Sequence, residues 1–323
     1  MWNKEQVLEW IRTLSPAKQK SKKIAALKEA VTYQVPEYVW QRTTDWFNGK
    51  GTLRNEPEER DCLKLYPVDI TKAPPMFWPK ETGKIILLSA TIGQKDIEQL
   101  GLGGRRVCYL TCKSPIPAGS RPIVPLSLMS VNRTAIQEGG VPQLAEYINR
   151  IMEDHPGEKG VVHVTYQLAD LLRSYLNSPR YIFHTRDNKA DRYTEFRNAP
   201  ADSGRVLVAC GMYEGLDLPE ELGRWQILAK VPWQSLGSPS VKHLAELDPE
   251  WYIWDTMKTT IQACGRICRT PKDYGSTFII DSSFWRLMNE GKHLVPEWFR
   301  EAIVPKSDTD NYLEQLGIKR NIK

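Results

Sequence analysis

Short apolar runs recur along this chain, most of them closed by a small or polar residue. They are Ile85-Ile86-Leu87-Leu88 before Ser89, Gly160 to Val164 before Thr165, Arg205 to Ala209, Gln226 to Ala229, and Phe278-Ile279-Ile280 before Asp281. A strand with one wet face alternates apolar and polar side chains, so a run without alternation is buried on both faces, as inside a parallel sheet. Between the runs lie segments with three- and four-residue apolar spacing. One covers about 141–152, one carries Leu168, Leu171, Leu172 and Tyr175, and one ends near Phe196. Buried strands alternating with amphipathic helices demand right-handed crossovers, hence an α/β fold with a mostly parallel sheet and helices on both faces. With 323 residues the chain can bury a large core, as two domains or one large one.

The first sixty residues have a different character. Val7, Leu8, Trp10 and Ile11, then Ile24, Leu27 and Val31, predict helices punctuated by Pro16 and Pro36, and Lys18, Lys20, Lys22, Lys23 and Lys28 form a basic face without an acid. Such a face tracks a phosphate backbone or is simply solvated. The formal charge of +5 is compatible with a nucleic-acid partner without establishing one. No apolar run approaches the length of a membrane span, and Met1-Trp2-Asn3-Lys4-Glu5 lacks the apolar core of a secretory signal, so the expected partners exclude a membrane and the expected location is cytoplasmic. Cys62, Cys108, Cys112, Cys210, Cys264 and Cys268 form no Cys-x-x-Cys pair and are expected as buried free thiols. His155, His163, His184 and His243 lack ligand spacing, so no metal site is expected.

The candidate site begins near residue 262. Trp254, Met257, Ile261, Cys264 and Cys268 read as one apolar helix stripe, which places Gln262, Arg266 and Arg269 on a neighbouring ridge beside Gly265. Two planar guanidiniums with permanent charge suit an oxyanion, although paired arginines on a helix also serve as a solvated face. Upstream, Ser89 and Thr91 end one strand and Thr165-Tyr166 another, positions where open α/β sheets bind ligands and where hydroxyls also cap helices. In Gly211-Met212-Tyr213-Glu214-Gly215-Leu216-Asp217-Leu218-Pro219, Gly215 permits close backbone approach, and Asp217 can accept from a ribose hydroxyl or orient an arginine; the plain alternative is a glycine turn. Asn48-Gly49-Lys50-Gly51-Thr52 is a turn, because Thr44 and Gly51 stand where a phosphate-binding Walker loop needs Gly and Ser or Thr.

Gln262-x-x-Gly265-Arg266-x-x-Arg269, followed by Asp273-Tyr274-Gly275 and a strand ending in Asp281, resembles motif six of superfamily two helicases in the XPD and DinG branch. Ser89-Ala90-Thr91 resembles motif three, Thr165-Tyr166 motif four, and the segment from Gly211 to Pro219 motif five, with Tyr213 where the family usually has Trp. The four motifs stand in family order across residues 62 to 290. The resemblance implies a RecA-like lobe and a division into a helical, basic segment (1–61), the tail of a first lobe (62–112), an inter-lobe linker (113–130) and a second lobe (131–323). It implies arginine fingers at Arg266 and Arg269, with Gln262 on the γ-phosphate or the attacking water. Gly215, Asp217, Glu214 and Gly265 would line ATP, which with its Mg²⁺ is completed by a partner lobe, and Ser89, Thr91, Thr165 and Tyr166 would hold single-stranded DNA or a DNA fork.

No Walker A loop or Asp-Glu-x-His box stands in these residues, and Met152-Glu153-Asp154-His155 falls after motif three, out of family order. The expected partner is therefore a second polypeptide carrying both. The four-cysteine segment that holds an iron–sulfur cluster in some relatives is not recognisable. The alternative expectation is a remnant that binds nucleic acid or protein and has lost catalysis.

Overall fold

The computed structural model describes residues 4–22, 24–25, 28, 38–46, 59–67, 83–213 and 215–319. It divides into two units, Met1–Tyr109 with Gln234–Tyr252, and Leu110–Trp233 with Ile253–Lys323.

In the first unit the helix Lys4–Thr13 buries Val7 and Ile11. Strands β1 (Tyr38–Trp46) and β2 (Glu59–Pro67) pair antiparallel from Tyr38↔Pro67 to Trp46↔Glu59. The helical expectation for the first sixty residues fails at β1, where Tyr38, Val39, Trp40, Thr43, Thr44 and Trp46 are aromatic or β-branched and favour an extended backbone. Asn48–Thr52 lies outside the described residues. The expected strand Ile85–Leu88 also fails: residues 83–89 carry no regular structure, and Ile86 and Leu88 are 83% and 91% exposed. An interior strand of a parallel sheet takes its hydrogen bonds from two neighbours, and among the described residues this run pairs with none. Lys95 Nζ joins the helix Gln94–Gln99 to the inserted segment through Asp248 (3.0 Å) and Glu250 (3.1 Å).

The second unit is built on six parallel strands, β3 (Ile123–Met129), β4 (Gly160–Val164), β5 (Tyr181–Phe183), β6 (Val206–Cys210), β7 (Trp225–Leu228) and β8 (Ser276–Asp281), in the order β3-β8-β7-β4-β6-β5. The pleat sends Val162, Val164, Val206, Val208, Ile227 and Ile280 to one face, under the helices Val141–Glu153, Tyr166–Leu172 and Lys306–Gln315. The opposite face carries two clusters. Leu228 and Ile279 meet Trp254, Met257, Ile261 and Phe284, while Val161, Leu207 and Ala209 meet Phe196, Leu216 and Leu218. This is the α/β fold with a parallel sheet expected from the buried runs, and the RecA-like lobe that the resemblance implies.

Residues 123–129, inside the expected linker at 113–130, form strand β3 although Pro125 stands within it. Proline cannot donate to a ladder, so it is excluded from central strands, but β3 lies at the edge, paired with β8 on one side and, on its other side, bridged only at Ile123 to Ile303 among the described residues. Cys108 and Cys112 are exposed, not buried, because the chain around them is irregular and pairs with no strand among the described residues; Cys210 and Cys268 are buried, and burial pushes both thiols up to about 11.

Candidate functional site

The helix Pro249–Cys264 stops before both arginines. Trp254, Met257 and Ile261 form the buried stripe, but Cys268, Arg266 and Arg269 lie in the turn leading to β8, so the expected ridge of Gln262, Arg266 and Arg269 on one helix is corrected. Tertiary hydrogen bonds draw the chain out of the helix. Leu218 N donates to Arg266 O (3.3 Å), Arg269 N donates to Asp273 Oδ2 (3.1 Å), and Arg266 Nε caps the Gln262 carbonyl (2.8 Å). Gly265, a poor helix former, is the first residue beyond the end.

The turn is stitched to the loop after β6. Arg266 Nη1 donates to Leu216 O (3.3 Å), and Arg269 Nε donates to Asp217 Oδ1 (2.6 Å) with its Nη1 on Gly265 O (3.3 Å). Leu216 and Leu218 are buried beside Phe196, which turns the intervening Asp217 outward. Gly215 has φ +80°, a left-handed conformation that other residues adopt only with strain, and a Cβ there would meet no atom within 4 Å. Because the Asp217 and Arg269 side chains are 66% and 42% exposed, their ion pair orients the guanidinium more than it stabilises the fold.

Asp273 holds the two loops together. Its Oδ2 accepts from Glu220 N (3.0 Å) and Arg269 N (3.1 Å), and its Oδ1 accepts from Tyr274 N (3.1 Å) and Arg224 Nη1 (3.0 Å). Arg224, itself buried, also pairs with Glu221 and lies 4.0 Å from the Tyr274 ring centroid. Burial opposes the Arg224 charge, but the Glu221 hydrogen bond and nearby carboxylates outweigh it and raise its pKa; the same hydrogen bond lowers that of Glu221. Sequence reasoning quoted Asp273 within a motif and passed over Arg224, whose partner stands 49 residues away.

Beneath the turn, Gln226 bridges three elements. Its amide nitrogen donates to Cys264 O and Thr277 Oγ1 (both 2.8 Å), which leaves its oxygen to accept from His163 Nε2 (3.2 Å). That fixes the His163 tautomer with the proton on Nε2. His163 stacks on Tyr213 with ring centroids 5.9 Å apart, and burial pushes its imidazole down to about 4, with the Arg266 charge adding to the effect.

A family model described as a helicase C-terminal domain matches residues 148–302, which contain this whole arrangement. The chain is 30% identical over 118 residues to the XPD helicase subunit of the general transcription and DNA repair factor IIH of Dictyostelium discoideum, covering 32% of this chain and 15% of that protein. It is 31% identical over 117 residues to a regulator of telomere elongation helicase 1 homolog of Drosophila sechellia, covering 31% of this chain and 12% of that one. The chain carries an XPD/DinG-like helicase C-terminal domain. It therefore spans a small part of the length of these curated relatives. A probable ATP-dependent helicase of Methanocaldococcus jannaschii matches at 25% identity over 65% of the chain and 37% of its own length. Among solved structures, an apo XPD aligns with TM-score 0.57 at 15% identity over 90% of this chain and 61% of its own, and an XPD helicase with TM-score 0.57 at 18% over 75% and 46%.

The remaining expected residues of the helicase domain lie elsewhere. Thr165 and Tyr166 follow the carboxyl end of β4, where Thr165 Oγ1 caps the helix Tyr166–Leu172 by accepting from Leu168 N (3.3 Å). Tyr166 packs edge-on to His184, with centroids 5.6 Å apart. Ser89 and Thr91 belong to the first unit, where Ser89 Oγ accepts from Thr91 N (3.1 Å) and Gly93 is the N-cap of the next helix. Glu214 lies outside the described residues. Gln262 is the helical residue whose carbonyl receives Arg266.

The residues fit a triphosphate at the level of donor chemistry. Among the described residues Nη2 of Arg269 has no hydrogen-bond partner, and the space beside Gly215 is open. Among the same residues no cluster of three or more His, Cys, Asp or Glu could hold a metal, and no helix is long and apolar enough to cross a membrane.

Proposed function

We propose that these residues are the C-terminal motor half of an ATP-dependent DNA helicase of the XPD/DinG type, completed by a Walker-bearing lobe outside them. One observation carries this reading: Arg266 and Arg269 stand in a turn bonded directly to the loop of Gly215, Leu216 and Asp217. When bound, ATP supplies the phosphoryl group passed to water, with charge spread over its oxygens in the transition state.

Arg269, held through Nε and Nη1, presents its remaining nitrogen to such an anion, and Arg266 places a second fixed charge beside it. Asp217 orients Arg269, and Asp273 keeps the turn in register with residues 217–224. Gln262 directs the attacking water or the γ-phosphate. The ligands of Mg²⁺ belong to the Walker-bearing lobe. Thr165 and Tyr166, with Ser89 and Thr91, contact single-stranded DNA.

The same contacts support one other reading. Both arginines are engaged within the chain, as they would be in a remnant that keeps them for stability and binds nucleic acid or protein. Substitution separates the two. With a Walker-bearing lobe from a neighbouring reading frame or a co-purifying polypeptide, Arg266→Ala should lower kcat by about 10³-fold or more while DNA affinity is kept. A remnant would show no ATP-dependent change. Turnover at a normal helicase rate by the purified chain alone on DNA would sink the motor-half reading.

A further inference from the structure

Some arginines of the second unit are neutralised locally and others are not. Arg150, Arg192, Arg205, Arg224, Arg269 and Arg286 each meet a carboxylate within 4.0 Å. Arg186 does not: among the described residues no ion pair involves it, and its exposed guanidinium lies 5.3 Å from the centroid of the Tyr166 ring. Arg186 comes from the exit of β5 and Tyr166 from the exit of β4. Their strands are separated only by β6, so both side chains rise from the carboxyl edge of the sheet.

The ring beneath is held from below. His184 is 3% exposed and uses both nitrogens, Nε2 accepting from Cys210 N (2.9 Å) and Nδ1 donating to Thr185 O (3.0 Å). It meets Tyr166 edge-on at an interplanar angle of 88°, and the half-buried Tyr166 also packs, with Phe183, on the core under the helix Val141–Glu153. Gly211, at φ +60°, passes beside Tyr166 and adds no side chain to the gap; a Cβ there would come within 3.6 Å of the ring. A packed aromatic face under an exposed guanidinium without an ion pair combines a stacking surface with a phosphate ligand.

We propose that Arg186 and Tyr166 form a clamp for a single nucleic-acid strand, in which Arg186 swings off the ring to a phosphate and the uncovered Tyr166 face receives the adjoining base. The proposal rests on the helicase reading and adds a residue and a division of labour to it. An exposed cation–π contact is weak, so Arg186 gives it up at little cost, and no ion pair has to break. Asp170 and Asp187 are the nearest acids in sequence on these two elements, and neither pairs with Arg186.

The test is fluorescence anisotropy of the full chain with a labelled oligothymidylate across a salt series, beside a blunt duplex of equal length. Arg186→Ala should weaken strand binding by about five- to tenfold and make the slope of log K against log salt shallower by about one, with little change on the duplex. Arg186→Lys should keep the slope but lose part of the affinity, since an ammonium reaches phosphate without the planar fork. Three results overturn the clamp. If Arg186→Ala binds like wild type while Tyr166→Ala is weakened, the clamp fails and the helicase reading stands. Equal losses on strand and duplex would leave only a diffuse cationic surface. No binding by wild type would remove both the clamp and the reading beneath it.

Discussion

His163 occupies the middle of β4 at 1% exposure, with its Nε2 proton given to Gln226 and its Nδ1 without a partner. A charged imidazole there would lose its hydration and face Arg266, which is why its pKa falls to about 4. The unfolded chain takes up this proton near the ordinary value of about 6.5, so below that pH the unfolded state binds more protons than the folded one. Stability therefore rises with pH between about 4 and 6.5 and is level above, a span worth about 3 kcal/mol. Urea unfolding at stepped pH should show this slope in wild type and a flatter one in His163→Gln; parallel profiles would mean that His163 is not the titrating group. The sequence offered His163 only as an unspaced histidine. Its neighbours Gln226 and Thr277 stand 63 and 114 residues away, and such contacts leave no local pattern. Arg266, Arg269 and Asp217 were named from the local order of their residues, which did not give the turn that brings them together, and the saturation of Asp273 by four donors needed the fold.

At the scale of elements, periodicity served where burial was complete. The runs at β4, β6, β7 and β8 do not alternate with polar residues, His163 in β4 and Gln226 in β7 being single buried exceptions, and each strand formed close to where its run stood. β3 was hidden by its prolines, the run Ile85–Leu88 was overread because a strand needs neighbours that no single segment reveals, and the last helix turn was overread because tertiary donors outcompeted the helical ones. Gly160 shows how tightly the elements are fitted. It opens β4 directly against the fully buried Trp225, whose Nε1 donates to Glu158 O (3.3 Å), and a methyl group on Gly160 would lie 2.1 Å from Trp225 Cε2. The indole is held by that hydrogen bond and by His155 at 5.3 Å, so relief requires strand movement. Gly160→Ala should destabilise the chain by about 1–3 kcal/mol, read as a lower urea midpoint at unchanged slope. An unchanged midpoint would show that Trp225 can move.

For the molecule as a whole, the proposed reading has residues 148–302, which match a helicase C-terminal domain, supply cations to a nucleotide whose phosphates are cradled by a Walker loop, a motif that does not stand in these 323 residues. Two guanidiniums and an open glycine make a poor site alone, because a triphosphate would remain largely hydrated and would give up its translational freedom for few bonds. Stabilisation by a ligand grows as RT ln(1 + [L]/Kd), so about 1 mM MgATP against a dissociation constant above about 10 mM adds less than about 0.1 kcal/mol. For a unit of this size that moves the melting temperature by about 1 °C or less. If, as proposed, a Walker-bearing lobe closes over the same arginines, ATP near 100-fold above its dissociation constant adds about 2.7 kcal/mol, which corresponds to a rise of about 5–10 °C. Differential scanning fluorimetry of the chain with MgATP, alone and with that lobe, should therefore show a shift only in the mixture, and Arg269→Ala should shrink it. A shift of several degrees for the chain alone would mean that the turn from Gly265 to Arg269 and the loop from Gly215 to Leu218 already form a complete nucleotide site.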